Sequence, residues 1–226
     1  MKAVKRLLTY LFARVSYKRK IARLFNVKIE EADALYMEID GSVFMREIIA
    51  KAGIKRGFFD FSMCMVLRAP TLYVLCRMLK PEVVVETGVA DGFSSAFILY
   101  ALEANQKGKL YSIDLPNQAG QEIKGGKQAG WLVPDNLKTR WELTLGDSRK
   151  ELPALCDRLK SIDIFYHDSD HSYENMTFEF NSVFGNIKSK GLIVSDDITD
   201  NNAFNNFTFL KKCDSIGLFK LGIARK

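Results

Sequence analysis

Two hydrophobic rhythms divide the chain. Before residue 80, apolar positions recur every three or four residues. Val4, Leu7, Leu8, Leu11, Phe12 and Val15 follow this spacing with Lys and Arg between them, which predicts a basic amphipathic helix over residues 2–25. Residues 29–80 read as further helices, broken near Gly41, Gly53 and Gly57; Pro70 opens a last one, Thr71–Leu79, and Pro81 ends it. From Val83 the rhythm changes. Val83–Val85 is a short β-branched run, as expected for a strand buried on both faces, and similar runs recur at Lys109–Ile113, Trp141–Leu145, Ile162–Tyr166 and Leu192–Val194. Stretches of helical length separate most of them. Alternating strand and helix predicts a doubly wound, mostly parallel α/β sheet with helices on both faces. The expected organisation is an N-terminal helical extension over residues 1–65 and an α/β domain over residues 66–226. The Gly-, Gln- and Lys-rich stretch Asn117–Gly130 reads as a surface loop or a lid.

Composition narrows the class. Of 226 residues, 47% are hydrophobic and 27% charged, the balance of a globular protein with a core. No apolar run reaches the ~18 residues that span a bilayer. The four cysteines are scattered and form no CxxC pair, which argues against a zinc site or a disulfide framework and predicts a cytoplasmic protein. The net charge of +6 is unevenly placed. Residues 1–28 hold nine of the 33 basic residues and none of the 27 acidic ones, so the rest of the chain is net acidic. The charge is therefore not a nucleic-acid footprint, and no nucleic-acid partner is expected. The basic helix could rest weakly on an anionic membrane surface, or pack its stripe on the domain or on a second copy in a homodimer; packing is the preferred reading.

The first strand carries the most informative turn. Val83-Val84-Val85 runs into Glu86-Thr87-Gly88-Val89-Ala90-Asp91-Gly92, and Ser94 and Ser95 precede a helical run. Glycines here let a ligand approach the backbone at the strand's carboxyl edge. The spacing G-x-x-x-G is neither the dinucleotide fingerprint nor a P-loop. The second strand ends in Asp114, 22 residues after Gly92, where an acid can accept both hydroxyls of a ribose. The third runs into Gly146-Asp147-Ser148, whose acid could accept an adenine amino group or cap the next helix.

A second constellation follows. The strand Ile162–Tyr166 leads through His167 to Asp168, with His171 three residues on, and the next strand ends at Asp196-Asp197. Carboxyl ends of parallel strands share one sheet edge, so Asp168, Asp196 and Asp197 should converge. Three carboxylates repel one another unless water, a cation or raised pKa values relieve the repulsion, and an all-oxygen set suits Mg²⁺, Mn²⁺ or Ca²⁺ better than Zn²⁺. His171, in a polar turn, is placed to take a proton near neutral pH. His167 falls inside the strand, where a satisfied buried role is expected.

Glu86-x-Gly88-x-x-x-Gly92, Asp114 and Gly146-Asp147-Ser148 together resemble the class I S-adenosylmethionine-dependent methyltransferases, over roughly residues 66–200. The resemblance implies a Rossmann-like sheet and a cofactor site built from Glu86, Gly88, Gly92, Ser94, Asp114, Asp147 and Ser148. Glu86 and Gly88 would line the methionine part, Asp114 would hold the ribose, and Asp147 with Ser148 would sit by the adenine. Asp168 with His171, then Asp196-Asp197, resembles the metal-dependent O-methyltransferases, above all those acting on macrolide sugars. This implies Mg²⁺ on Asp168, Asp196 and Asp197, catalytic Asp168 and His171, and a sugar or other small-molecule hydroxyl as acceptor. Family members close the sheet with two further strands. Here one clear strand, Leu218–Ala224, follows a helix-like stretch, Ala203–Cys213. A carboxylate-metal hydroxylase, or a non-catalytic binding protein that kept the fold, are the rival readings.

Overall fold

The computed structural model describes residues 15–54, 61–116, 123 and 126–226, with side chains 61–66 set aside. Its centre is a seven-stranded sheet of order β3-β2-β1-β4-β5-β7-β6. The strands are β1 (Val83–Thr87), β2 (Lys109–Asp114), β3 (Trp141–Leu145), β4 (Ile162–His167), β5 (Ile187–Ser195), β6 (Asp214–Leu218) and β7 (Leu221–Arg225). β1 to β5 pair in parallel, and β7 runs antiparallel to both β5 and β6. The order reverses between β1 and β4, where a parallel sheet opens a crevice at its carboxyl edge.

Residue parity assigns the two faces, because successive side chains of a strand point to opposite sides. Val84, Ile164, Tyr166, Leu192, Val194 and Ile223 enter one core. Val85, Phe165, Ile193 and Ala224 enter the other. The first core is covered by α1 (residues 15–25), α2 (Ile29–Asp40), α3 (Val43–Lys51), α4 (Phe61–Leu79) and α5 (Phe93–Ala104). The second is covered by α6 (Ser148–Leu159), α7 (Tyr173–Phe184) and α8 (Ala203–Lys211).

Two expectations change. Pro70 does not open a helix; it lies inside α4. Its ring removes one backbone donor, and the buried Leu67, Leu72, Val74 and Leu75 around it keep the helix together. The single strand read over Leu218–Ala224 is the end of β6 and most of β7, joined at Phe219-Lys220. Phe219 takes a positive φ of 56° with no glycine to announce the turn. The described part of the N-terminal helix packs on the domain. Tyr17, Ile21 and Leu24 are buried, and the Tyr17 hydroxyl donates to the Leu218 carbonyl at 2.7 Å. The stripe Val4–Phe12, Gly57 and most of the Asn117–Gly130 loop lie outside the described residues. Among the described residues no helix is long and apolar enough to cross a membrane.

Candidate active site

The glycine turn between β1 and α5 is shaped by close approaches. Gly88 takes φ 82°, and a Cβ there would lie 2.0 Å from the Asp168 carbonyl oxygen. Gly92 takes φ 83°, and its Cβ would lie 2.6 Å from Gly130 Cα. Only glycine meets both demands at either position. The segment after Gly130 clamps this turn: Gly130 N donates to Ala90 O at 2.8 Å, and Trp131 Nε1 to Asp91 Oδ1 at 2.6 Å.

Glu86 is fully buried beneath the turn. It accepts hydrogen bonds from Ser94 Oγ (2.9 Å), Ser95 Oγ (2.7 Å) and Ser112 Oγ (2.8 Å). Burial pushes its carboxyl up to about 7, against the pull of the three serines. Asp114 ties β2 to the same turn, accepting from Ala90 N at 2.9 Å and Leu115 N at 2.9 Å. Burial raises its pKa too, and these backbone donors oppose the rise. Asp147 caps α6, accepting from Arg149 N at 2.9 Å.

A cavity of about 680 Å³ opens at this edge. Gly88, Ser94, Asp114, Asp147, Ser148 and Asp168 all face it, as do Arg68 and Arg149. Asp147 is thus a helix cap and a wall residue at once. The other expected residues stand off the wall. Glu86 lies behind the serines and Gly92 beneath Gly130, while His171, Asp196 and Asp197 lie beyond Asp168.

The acidic cluster differs from expectation. Asp168 Oδ2 accepts from the Tyr166 hydroxyl at 2.9 Å, and its Oδ1 lies 3.7 Å from His171 Nε2. Burial raises the Asp168 pKa, opposed first by Arg68. Asp168, His171 and Asp196 each bring one donor atom within 4.8 Å of the others. Asp197 does not join them. Its backbone takes φ 49°, and its carboxylate pairs with Lys220 at 2.6 Å. Arg68, from α4, pairs with Asp196 and lies 3.6 Å from Asp168 Oδ2.

Both histidines are distinctive. His171 Nε2 is buried and has no hydrogen-bond partner among the described residues. Burial lowers its pKa, and the neighbouring His167 lowers it further, so the ring is a neutral base at pH 7. His167 Nδ1 bonds Glu179 Oε2 at 2.7 Å, but its Nε2 has no such partner, so the expected buried role is only half satisfied. Glu179 also accepts from Thr87 Oγ1 at 2.6 Å and Ser169 Oγ at 2.8 Å. Its carboxyl is held below the usual range despite a burial penalty that is the largest single influence, because His167, Ser148 and Thr87 together outweigh it.

Sequence reading missed Arg68 and Glu179. Each carried a signal. Arg68 is a lone charge in the apolar run Met65–Cys76, and Glu179 stands between Phe178 and Phe180 on a helix. A charge in such a setting requires a buried partner.

A glycine turn at the first strand, acids at the ends of the next two, and one cavity joining them at the switch point define a class I methyltransferase. The sequence agrees. A methyltransferase-domain family profile matches residues 85–198, half of the chain, and the chain belongs to that family. No curated protein matches it. Solved structures share the fold at low identity. The calicheamicin methyltransferase CalS11 is 17% identical, with 87% of this chain and 91% of that one covered at a TM-score of 0.53. The S-adenosylhomocysteine-bound methyltransferase PaMTH1 of Podospora anserina is 11% identical, covering 87% and 95% at 0.59. A methyltransferase of Geobacter sulfurreducens is 18% identical, covering 70% and 78% at 0.53.

Proposed function

We propose that this enzyme transfers a methyl group from S-adenosylmethionine to a hydroxyl of a sugar or other small molecule. One observation carries the reading: the wall of a single cavity runs from the glycine turn and Asp114 to Asp168 and Arg68. A site for a cofactor and a site for an activated oxygen thus share one space. A second structure of CalS11, without ligand, at 16% identity and a TM-score of 0.55, describes that protein as a TDP-rhamnose 3'-O-methyltransferase, which favours a sugar acceptor.

S-adenosylmethionine, when bound, supplies a methyl group on a sulfonium, which leaves as a neutral thioether while the C–S bond breaks and a C–O bond forms. The chain's own part is alignment and electrostatics. Gly88 and Ser94 would line the methionine end, with Glu86 and Gly92 setting the turn behind them. Asp114 would hold the ribose, and Asp147 with Ser148 the adenine. Asp168, on the wall, would accept the hydroxyl's hydrogen bond, and the proton would pass through it to the neutral His171 behind, whose Nε2 lies 3.7 Å from its Oδ1.

The expected trio for a divalent cation does not fit one here. Asp197 is committed to Lys220 and Asp196 to Arg68. His171 brings the third donor atom, but the guanidinium already pairs with both carboxylates of that set.

Calorimetric titration with S-adenosylhomocysteine tests the cofactor half. Wild type should bind, and Asp114→Ala should lose at least about tenfold in affinity, or ~1.4 kcal/mol. Absence of binding by wild type would sink the proposal.

A further inference from the structure

We infer that Arg68 takes the seat of a divalent cation between Asp168 and Asp196, so that a guanidinium is the positive charge facing the substrate oxygen. The inference rests on the O-methylation proposed above and specifies how its acceptor is met.

Three features of the structure lead there. Arg68 is largely buried, its side chain 17% exposed, and it comes from α4 rather than from the sheet edge that supplies the acids. It pairs with Asp196, whose side chain is 6% exposed, and approaches Asp168 at 3.6 Å. It also faces the cavity, which Asp196 does not. The two carboxylates are thus turned toward a charge that is already in place and delivered to the wall.

A divalent ion would have to evict this guanidinium to use either carboxylate, leaving a buried charge without its partner. If the ion entered beside it, like charges would face each other at short range. Asp197, the third carboxylate, would also be missing from the set, because it pairs with Lys220. Arg68 needs neither concession. Its planar fork can bond a carboxylate on one side and present a further N–H to an oxygen on the other. Such a centre polarises a single hydroxyl, so the acceptor need not carry the two vicinal hydroxyls that chelate a metal.

Mn²⁺ is the probe, with its free concentration followed by electron paramagnetic resonance on the full chain. Wild type should show no saturable site below about 1 mM, a range typical of weak oxygen-ligand sites. Arg68→Met should gain a site at least about tenfold tighter, and Arg68→Met combined with Asp196→Asn should lose it again. Arg68→Lys keeps the charge and should stay blind to Mn²⁺. Melting by circular dichroism shows which variants are folded, and Arg68→Lys carries the test if Arg68→Met is not. Tight Mn²⁺ binding by wild type that Asp196→Asn removes overturns the inference. So does a folded Arg68→Met that gains no site, or an Arg68→Lys that gains one. Titration with S-adenosylhomocysteine on the same samples reads the cofactor site separately, so failure of the methyltransferase proposal is not confused with failure of this one.

Discussion

Gly88 and Asp168 meet backbone to backbone: a Cβ on Gly88 would stand 2.0 Å from the Asp168 carbonyl oxygen. This contact joins the turn after β1 to the acid after β4, the two ends of the proposed reaction. Gly88→Ala should therefore destabilise the fold by at least about 2 kcal/mol, from the clash and the positive φ together. It should also abolish S-adenosylhomocysteine binding. Urea unfolding and calorimetry check both, and a variant with wild-type affinity would show that the contact is not needed.

Glu86 makes stability depend on pH. Its folded pKa of about 7 lies above the ordinary carboxylate value, so the folded state holds a proton that the unfolded chain releases. The stability this adds is fully present below the ordinary carboxylate pKa and is lost as pH rises toward 7. The span is on the order of 3 kcal/mol. Urea midpoints at pH 5 and pH 8 should differ less in Glu86→Gln than in wild type; equal differences would remove Glu86 as the cause.

Glu179 holds the floor beneath the acid cluster. Removing it leaves buried donors on Thr87 and His167 without an acceptor. Glu179→Ala should cost about 3 kcal/mol, and Glu179→Gln less, because an amide oxygen still accepts. A melting curve unchanged by Glu179→Ala would contradict this.

Asp114 has two tasks, and two variants separate them. Asp114→Asn keeps an oxygen for Ala90 N but loses the charge and the acceptor for Leu115 N, so it should cost less stability than Asp114→Ala while weakening S-adenosylhomocysteine binding. Asp114→Ala should lose about 1 kcal/mol of stability as well. Equal affinity in wild type and Asp114→Asn would mean that the carboxylate does not serve the ribose.

The N-terminal helix should behave as part of the core. Ile21 is 0% exposed and sits in the cluster that includes Leu218 and Ile223. Ile21→Ala should cost about 2–4 kcal/mol, whereas a freely attached extension would make it nearly silent. Chemical denaturation of the full chain distinguishes the two.

The alternation of strand and helix and the acids at the strand ends were legible in the sequence. These follow from periodicity and from the rule that carboxyl ends of parallel strands share an edge, which needs no knowledge of side-chain direction. Of the residues expected to hold the cofactor, Gly88, Ser94, Asp114, Asp147 and Ser148 come together on one wall. The acids expected to hold a metal do not all come together. Asp196 and Asp197 are neighbours in sequence, yet one faces Arg68 and the other Lys220, because a positive φ at Asp197 separates their directions. Glu86 reads as a ligand contact, but three serines from α5 and β2 close over it. The hairpin turn at Phe219 and the passage of α4 through Pro70 were likewise decided by packing. The sequence by itself determined which residues reach the sheet's active edge, since that depends only on local period and chain order. Tertiary structure alone decided which cation Asp168, Asp196 and Asp197 face there, since Arg68 comes from a helix and Lys220 from a hairpin turn tens of residues or more away.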